Sequence, residues 1–310
     1  MKRLIPLLYG LLMLGGMMAC TGQDQIVEAK KLLDSEQFER AEKAFRTAIE
    51  ADTKHAEAHW GLGKSQLQLG HFEDAIASLG QAIAQGTAQK VPPAQLGKYY
   101  LDRGLAHYGL ARFSPAQNDF QKAIELNYKL GEAYAYLGVS QGNAGDDITA
   151  ITSLNKALEH DPNNHFALSN RGFYNSLVGD NKTAVSDFTR AIALQADDKV
   201  SYLNRGYTYI GMGDYATAIT DFKKALEIDP EYVGAITYMG IALTNSGQPA
   251  EALSYLDKAI AAQPENPALF YYRGTARINA GMKAEGCTDL HQAQTMGDGQ
   301  SAAMIEEFCE

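Results

Sequence analysis

GEAYAYLGVSQGNAGDDITAITSLNKALEHDPNN, residues 131–164, contains the pattern that organises the whole chain. Its eighth residue is Gly138, its fifteenth Gly145, its twentieth Ala150, its twenty-fourth Leu154, its twenty-seventh Ala157 and its thirty-second Pro162. Steps of 34 residues in either direction meet the same residue types again, apart from one insertion, in registers that start at Gly22, Ala56, Gly97, Gly131, His165, Lys199, Val233 and Pro267. The eighth position holds Ala29 and then Gly63, Gly104, Gly138, Gly172, Gly206, Gly240 and Gly274. The twentieth holds Ala41, Ala75, Ala116, Ala150, Ala184, Ala218, Ala252 and Gly286, and alanine fills the twenty-seventh from Ala48 to Ala293. A period of this length marks a stacked array rather than one globular core.

Each register reads as two short helices. Gly70, Gly145, Gly179, Gly213, Gly247 and Gly281 sit at position fifteen, where the first helix ends in a left-handed cap. A large apolar residue follows at position twenty-four, from Phe45 to Leu290, and Pro162, Pro230 and Pro264 stop the second helix. Glycine inside a helix costs about 1 kcal/mol against alanine, so the glycines at position eight need a compensating cause. Close approach of the paired helix supplies one.

These positions resemble the tetratricopeptide repeat family, most fully in residues 131–164, and the resemblance covers residues 22–300. It implies an all-α, right-handed superhelical solenoid of about eight helix–turn–helix repeats, with the first helices lining a concave groove. Repeat one departs from the pattern, with Glu28 where leucine is usual and Ala29 in place of glycine. Seven extra residues, Lys90 to Leu96 with Pro92 and Pro93, separate repeats two and three and predict a local break. Residues 301–310, with apolar Met304, Ile305 and Phe308, read as a C-terminal cap.

A second pattern lies outside the family signature. Arg103, Arg171, Arg205 and Arg273 occupy position seven, and Asp119, Asp187, Asp221 and Asp289 follow sixteen residues later. Across an antiparallel pair that turns near position fifteen, these positions face each other, which predicts an ion pair inside each of the four repeats. The alternative is an arginine kept free to grip a ligand carboxylate. A partly exposed pair contributes only ~0.2–1 kcal/mol.

Residues 1–20, MKRLIPLLYGLLMLGGMMAC, combine basic Lys2 and Arg3, an apolar stretch and small Ala19 before Cys20. The segment resembles a bacterial lipoprotein signal, which implies lipidation at Cys20 and a membrane anchor in the cell envelope. Thr21 in place of aspartate favours the outer membrane. An ordinary secretory signal or an uncleaved anchor is the alternative. Two further cysteines, Cys287 and Cys309, form an even pair that reads as a disulfide in an oxidising compartment, with two free thiols as the other possibility.

The net charge of −10 and the lack of a basic run argue against nucleic acid as a partner. Ala58 to Ser65, AHWGLGKS, has the spacing of a phosphate-binding loop. Its glycines fall inside a predicted helix, where the backbone N–H groups are already used. His55 and His59 lack the third ligand of a zinc site. Asp146–Asp147 and Glu306–Glu307 are charge pairs that nothing orders as acid and base. The reading is therefore non-catalytic, with no cofactor and no metal.

The resemblance places Trp60, Leu101, Tyr108, Phe166, Phe173, Leu203, Tyr207, Ile241 and Tyr271 on the groove, with few charges, mainly Glu57, Lys64, Lys98 and Glu132. Asn170 and Asn204 are similar to the asparagine ladders by which some relatives hold a peptide backbone. An aromatic, lightly charged groove suits an extended or helical segment of a protein partner. Internal packing of the same rings is the competing use. The expected function is a protein-interaction scaffold. A small-ligand or glycan receptor, or a self-assembling scaffold, stands behind it.

Overall fold

The structure, a computed structural model, describes residues 22–309. The leader and Cys20 lie outside these residues. The described residues form 17 helices and no strand. A first unit, ending at Arg112, contains α1 (Gly22–Asp34), α2 (Phe38–Ala51), α3 (Ala56–Gln68), α4 (Phe72–Ala88) and α5 (Pro93–Gly109). The second, from Phe113, begins with α6 (Phe113–Glu125), α7 (Leu130–Asn143), α8 (Asp147–His160), α9 (His165–Leu177), α10 (Asn181–Leu194) and α11 (Lys199–Gly211). It continues through α12 (Tyr215–Ile228), α13 (Val233–Asn245), α14 (Pro249–Ala262), α15 (Pro267–Asn279), α16 (Lys283–Thr295) and α17 (Ser301–Phe308). Among the described residues no helix is long and apolar enough to cross a membrane.

Within each unit every helix packs on the next, and each odd-numbered helix from α7 onward, or from α1 in the first unit, also touches the following odd-numbered one. Apart from the C-terminal α17, these are the first helices of the repeats, and within each unit they line one side. The turns inside the hairpins follow from position fifteen. Gly145 sits at φ 94°, and beside it the Asp146 N–H donates to the Gln141 carbonyl at 3.0 Å, closing the end of α7. Glu36 and Ala111 take the same left-handed place at φ 58° and 54° without glycine. Second helices then start on side-chain caps: Asp146, Asp180 and Asp214 accept from the backbone N–H of Thr149, Thr183 and Thr217 at 3.0, 3.1 and 3.1 Å.

The second helices supply the core. Ala184, Phe188 and Ala191 on α10, and Ala218, Phe222 and Ala225 on α12, are fully buried. The large residue lies against the position-eight glycine of its own repeat. A Cβ on Gly206 would stand 2.6 Å from Phe222, and one on Gly240 2.6 Å from Leu256. The glycines are the contact surface for these side chains, which is why the mid-helix cost is carried.

The seven-residue insertion lengthens the helices on either side of it. α4 and α5 have 17 residues each, against 13 or 14 in the rest of α1–α16. The extra residues are thus built into helix on both sides of a short turn. Pro93 is the first residue of α5, where its missing N–H costs nothing. Val91 and Leu96 pack with buried Tyr99, Ala56 and Ile83, so the insertion adds to the interior of the first unit. A boundary between units falls after Arg112.

At the C-terminus α17 covers the last hairpin, with Ser301 and Ile305 buried. The Asp298 carboxylate accepts from the Ser301 N–H at 2.7 Å and its hydroxyl at 2.5 Å. A disulfide joins Cys287 on α16 to Cys309.

Candidate functional site

The first-helix face is the candidate surface, and the two units differ in how they use it. In the first unit it is filled by charge. Glu57 on α3 accepts from Lys30 Nζ on α1 at 2.8 Å and from Lys98 Nζ on α5 at 3.2 Å. Its other oxygen accepts from Gln95 Nε2 at 2.7 Å and from the Tyr99 hydroxyl at 2.9 Å. Burial pushes this carboxyl up, but Lys30, Lys98 and the Tyr99 hydroxyl outweigh it and hold the pKa at about 2. Burial, then the charge of Glu57, pushes the Tyr99 hydroxyl well above its ordinary value.

Asp102 accepts from the Trp60 indole N–H and from Lys64 Nζ, both at 2.7 Å. The Lys98 ammonium lies 3.4 Å from the Trp60 ring centre. Trp60 is therefore occupied on its edge and on a face by its own unit. Leu101 is 2% exposed and belongs to the core rather than to a groove. Tyr108 is half-buried. The sequence displayed Glu57 and Lys98 at the same register; it did not display the closure they make with Lys30, which comes from degenerate repeat one.

In the second unit the same face is apolar and more open. Phe173 on α9 and Tyr207 on α11 are 38% and 46% exposed at equivalent positions of consecutive repeats. Leu177, one turn on from Phe173, is 52% exposed. Tyr207 meets Tyr238 edge-on at 5.1 Å. Phe166 packs on Tyr136 at 4.9 Å, Leu203 packs on the neighbouring core cluster, and Tyr271 meets Tyr272 at 5.4 Å. Ile241 is half-buried. Asn170 turns its amide back to the Phe166 carbonyl of its own helix at 2.7 Å, and Asn204 is half-buried on α11. Two exposed aromatics, not a ladder of amides, dominate this face.

The arginine forks lie within the second unit. Arg171 Nε and Nη2 donate to Asp187 at 2.7 Å each, Arg205 to Asp221 at 2.9 and 2.7 Å, and Arg273 to Asp289 at 2.8 and 2.7 Å. The remaining nitrogen, Nη1, reaches back sixteen residues to the preceding repeat: Asn155 at 2.7 Å, Thr189 at 2.9 Å and Asp257 at 2.7 Å. Its hydrogen bonds to the Asp221 carboxylate raise the already high pKa of Arg205. These guanidinium groups are committed to carboxylates of their own chain. Arg103 belongs to the first unit, over the Tyr100 ring, and buried Asp119 to the second.

The motifs with possible chemistry are also engaged. Gly61 and Gly63 lie inside α3 against Phe45 and Leu79. His59 Nε2 lies 2.9 Å from the Thr53 carbonyl, whereas His55 Nε2 lies 3.3 Å from the Gln23 side-chain oxygen.

Models of the tetratricopeptide repeat match residues 26–91 in the first unit and 209–272 in the second. The chain is 29% identical over 138 residues to human Tetratricopeptide repeat protein 6, covering 44% of this chain and 25% of that protein. It is 30% identical over 102 residues to the wheat (Triticum aestivum) Hsp70-Hsp90 organizing protein, covering 33% and 16%. It thus spans a quarter or less of these curated relatives. Among solved structures, Cut9–Hcn1 of the APC/C aligns over 96% of this chain and 57% of that one at TM-score 0.61 and 15% identity, a likeness of fold. PilW, a type IV pilus biogenesis factor, aligns over 54% and 77% at TM-score 0.50 and 26% identity. Proteins of such repeats generally mediate protein–protein interactions. With its helical hairpins, glycine contacts and matched segments together, this chain is an all-α repeat solenoid in which residues 26–91 and 209–272 match tetratricopeptide repeat models.

Proposed function

We propose that the protein is a non-catalytic scaffold that holds an extended or helical segment of a protein partner on the first-helix face of its second unit. The observation that carries this reading is the pair Phe173 and Tyr207, large rings left open at one register of consecutive repeats, where the other repeats place Lys30, Lys64, Leu105, Val139, Ile241 and Thr275. Rigid aromatic anchors of this kind dominate binding energy where a partner covers them. We further propose that Cys20 is lipidated and tethers the scaffold in the bacterial cell envelope, at the outer membrane. The leader supports this, and the Cys287–Cys309 disulfide suits an exported protein. The likeness to PilW is compatible with an envelope assembly role.

The test is affinity isolation from crosslinked membranes with a Phe173→Ala/Tyr207→Ala variant. Loss of a specific partner, with an unchanged melting curve, is the expected result; full recovery of that partner removes the surface from consideration. The anchor is tested separately, by incorporation of labelled fatty acid into the native chain and its absence from Cys20→Ser.

A further inference from the structure

A cavity of about 200 Å³ opens near the C-terminal end of the second unit, lined by Ile241, Thr244 and Asn245 from α13, Tyr271, Tyr272 and Thr275 from α15, and Gln300 before α17. None of these side chains is charged, in a chain where charged residues make up 21%. We infer that this cavity is a subsite for one neutral saccharide residue, a ligand separate from the protein segment proposed above.

The hydrogen-bonding capacity of the lining supports that class. The Thr244 hydroxyl donates to the Gly240 carbonyl at 2.8 Å, and the Thr275 hydroxyl to the Tyr271 carbonyl at 3.0 Å. With their protons used, both oxygens offer a ligand only lone pairs. A carboxylate or phosphate, which brings acceptors and negative charge, meets neither donors of that pair nor a cation. A sugar brings hydroxyl donors. The carboxamides of Asn245 and Gln300 add both donor and acceptor at the rim, where both residues are exposed. The apolar C–H face of a pyranose finds Tyr271, Tyr272 and Ile241. The volume lies below the roughly 300–1,000 Å³ of sites for drug-sized ligands, which fits a single ring and its substituents.

The cap completes the site. Gln300 immediately precedes α17, whose start is fixed by Asp298 and Ser301 and whose end is tied by the disulfide. The third wall is therefore present only when the cap is seated.

Titration calorimetry of the full chain with two neutral trisaccharides, tri-N-acetylchitotriose and maltotriose, tests the assignment, with an uncharged Gly-Gln-Thr-Gly peptide as the third probe. Saturable binding of a trisaccharide is expected, weakened about tenfold or more by Asn245→Ala/Gln300→Ala through lost hydrogen bonds. Both substitutions are at exposed positions, and an unchanged melting curve checks the fold. Absence of saturable heat with both sugars overturns the assignment. So does an affinity indifferent to the double variant, or sensitivity shown by the peptide alone. Phe173→Ala alone, which also tests the partner surface and lies two repeats from the cavity, leaves sugar binding unchanged.

Discussion

At the scale of single residues, Arg205 on α11 grips Asp221 on α12 with two parallel hydrogen bonds and holds Thr189 on α10 with a third. Asp221 is 3% exposed. Removing one partner of such a pair leaves the other charge desolvated, which costs about 3–5 kcal/mol, well above the worth of an exposed surface pair. Asp221→Ala is therefore expected to lower the urea unfolding midpoint strongly, whereas Thr189→Ala, which removes one neutral acceptor, costs about 0.5–1.5 kcal/mol. Equal losses in the two variants would contradict this ordering. The sixteen-residue spacing between arginine and aspartate was legible because both lie on one hairpin. The backward bond was not, since Asn155, Thr189 and Asp257 share a position but not a residue type.

At the scale of helices, glycine has two different uses on α11. Gly206 faces Phe222, so an added methyl meets a ring at 2.6 Å, while Gly211, the last residue of the helix, has nothing within 4 Å. Overpacking costs about 1–3 kcal/mol, against about 1 kcal/mol of helix propensity gained. Gly206→Ala should thus destabilise the protein in a denaturant melt, and Gly211→Ala should leave it unchanged or more stable. A stabilised Gly206→Ala would refute the close approach on which the hairpin depends. The period gave this contact away, because a costly residue recurred where nothing local needed it. The insertion was harder to read. Pro92 and Pro93 signal a stop, yet a proline at the first helical position also starts a helix, and only the packing of Val91, Leu96 and Tyr99 decides between them.

At the scale of the molecule, neighbour-only contacts make damage local. The disulfide closes a loop with a sequence separation of 22, a constraint worth roughly 3 kcal/mol in the chain-entropy account. In Cys287→Ser/Cys309→Ser, amide exchange is expected to accelerate in α17 and the end of α16, with α7–α12 unchanged. Uniform acceleration throughout the second unit would show that the cap stabilises more than its own hairpin. The architecture was legible from the period, whereas the open surface was not. Trp60 and Leu101 have the register of groove residues but are engaged by Asp102, Lys98 and the core; Phe173 and Tyr207, at an equally ordinary register, are exposed.

Repeat seven lacks the fork: Met239 takes the arginine's place, fully buried in a cluster with Leu243 and Leu256, and Tyr255 takes the aspartate's. Its flanking repeats are pinned by ionic joints whose desolvation cost falls on warming. The apolar joint gains nothing comparable, and it is the softer one on cooling. Temperature therefore grades the seams of this stack unequally. Arg273 still ties the last hairpin to Asp257 of repeat seven, so among repeats four to eight the seam without a backward arginine bond lies between six and seven. Parting there would release the last two hairpins with their clasp still fastened.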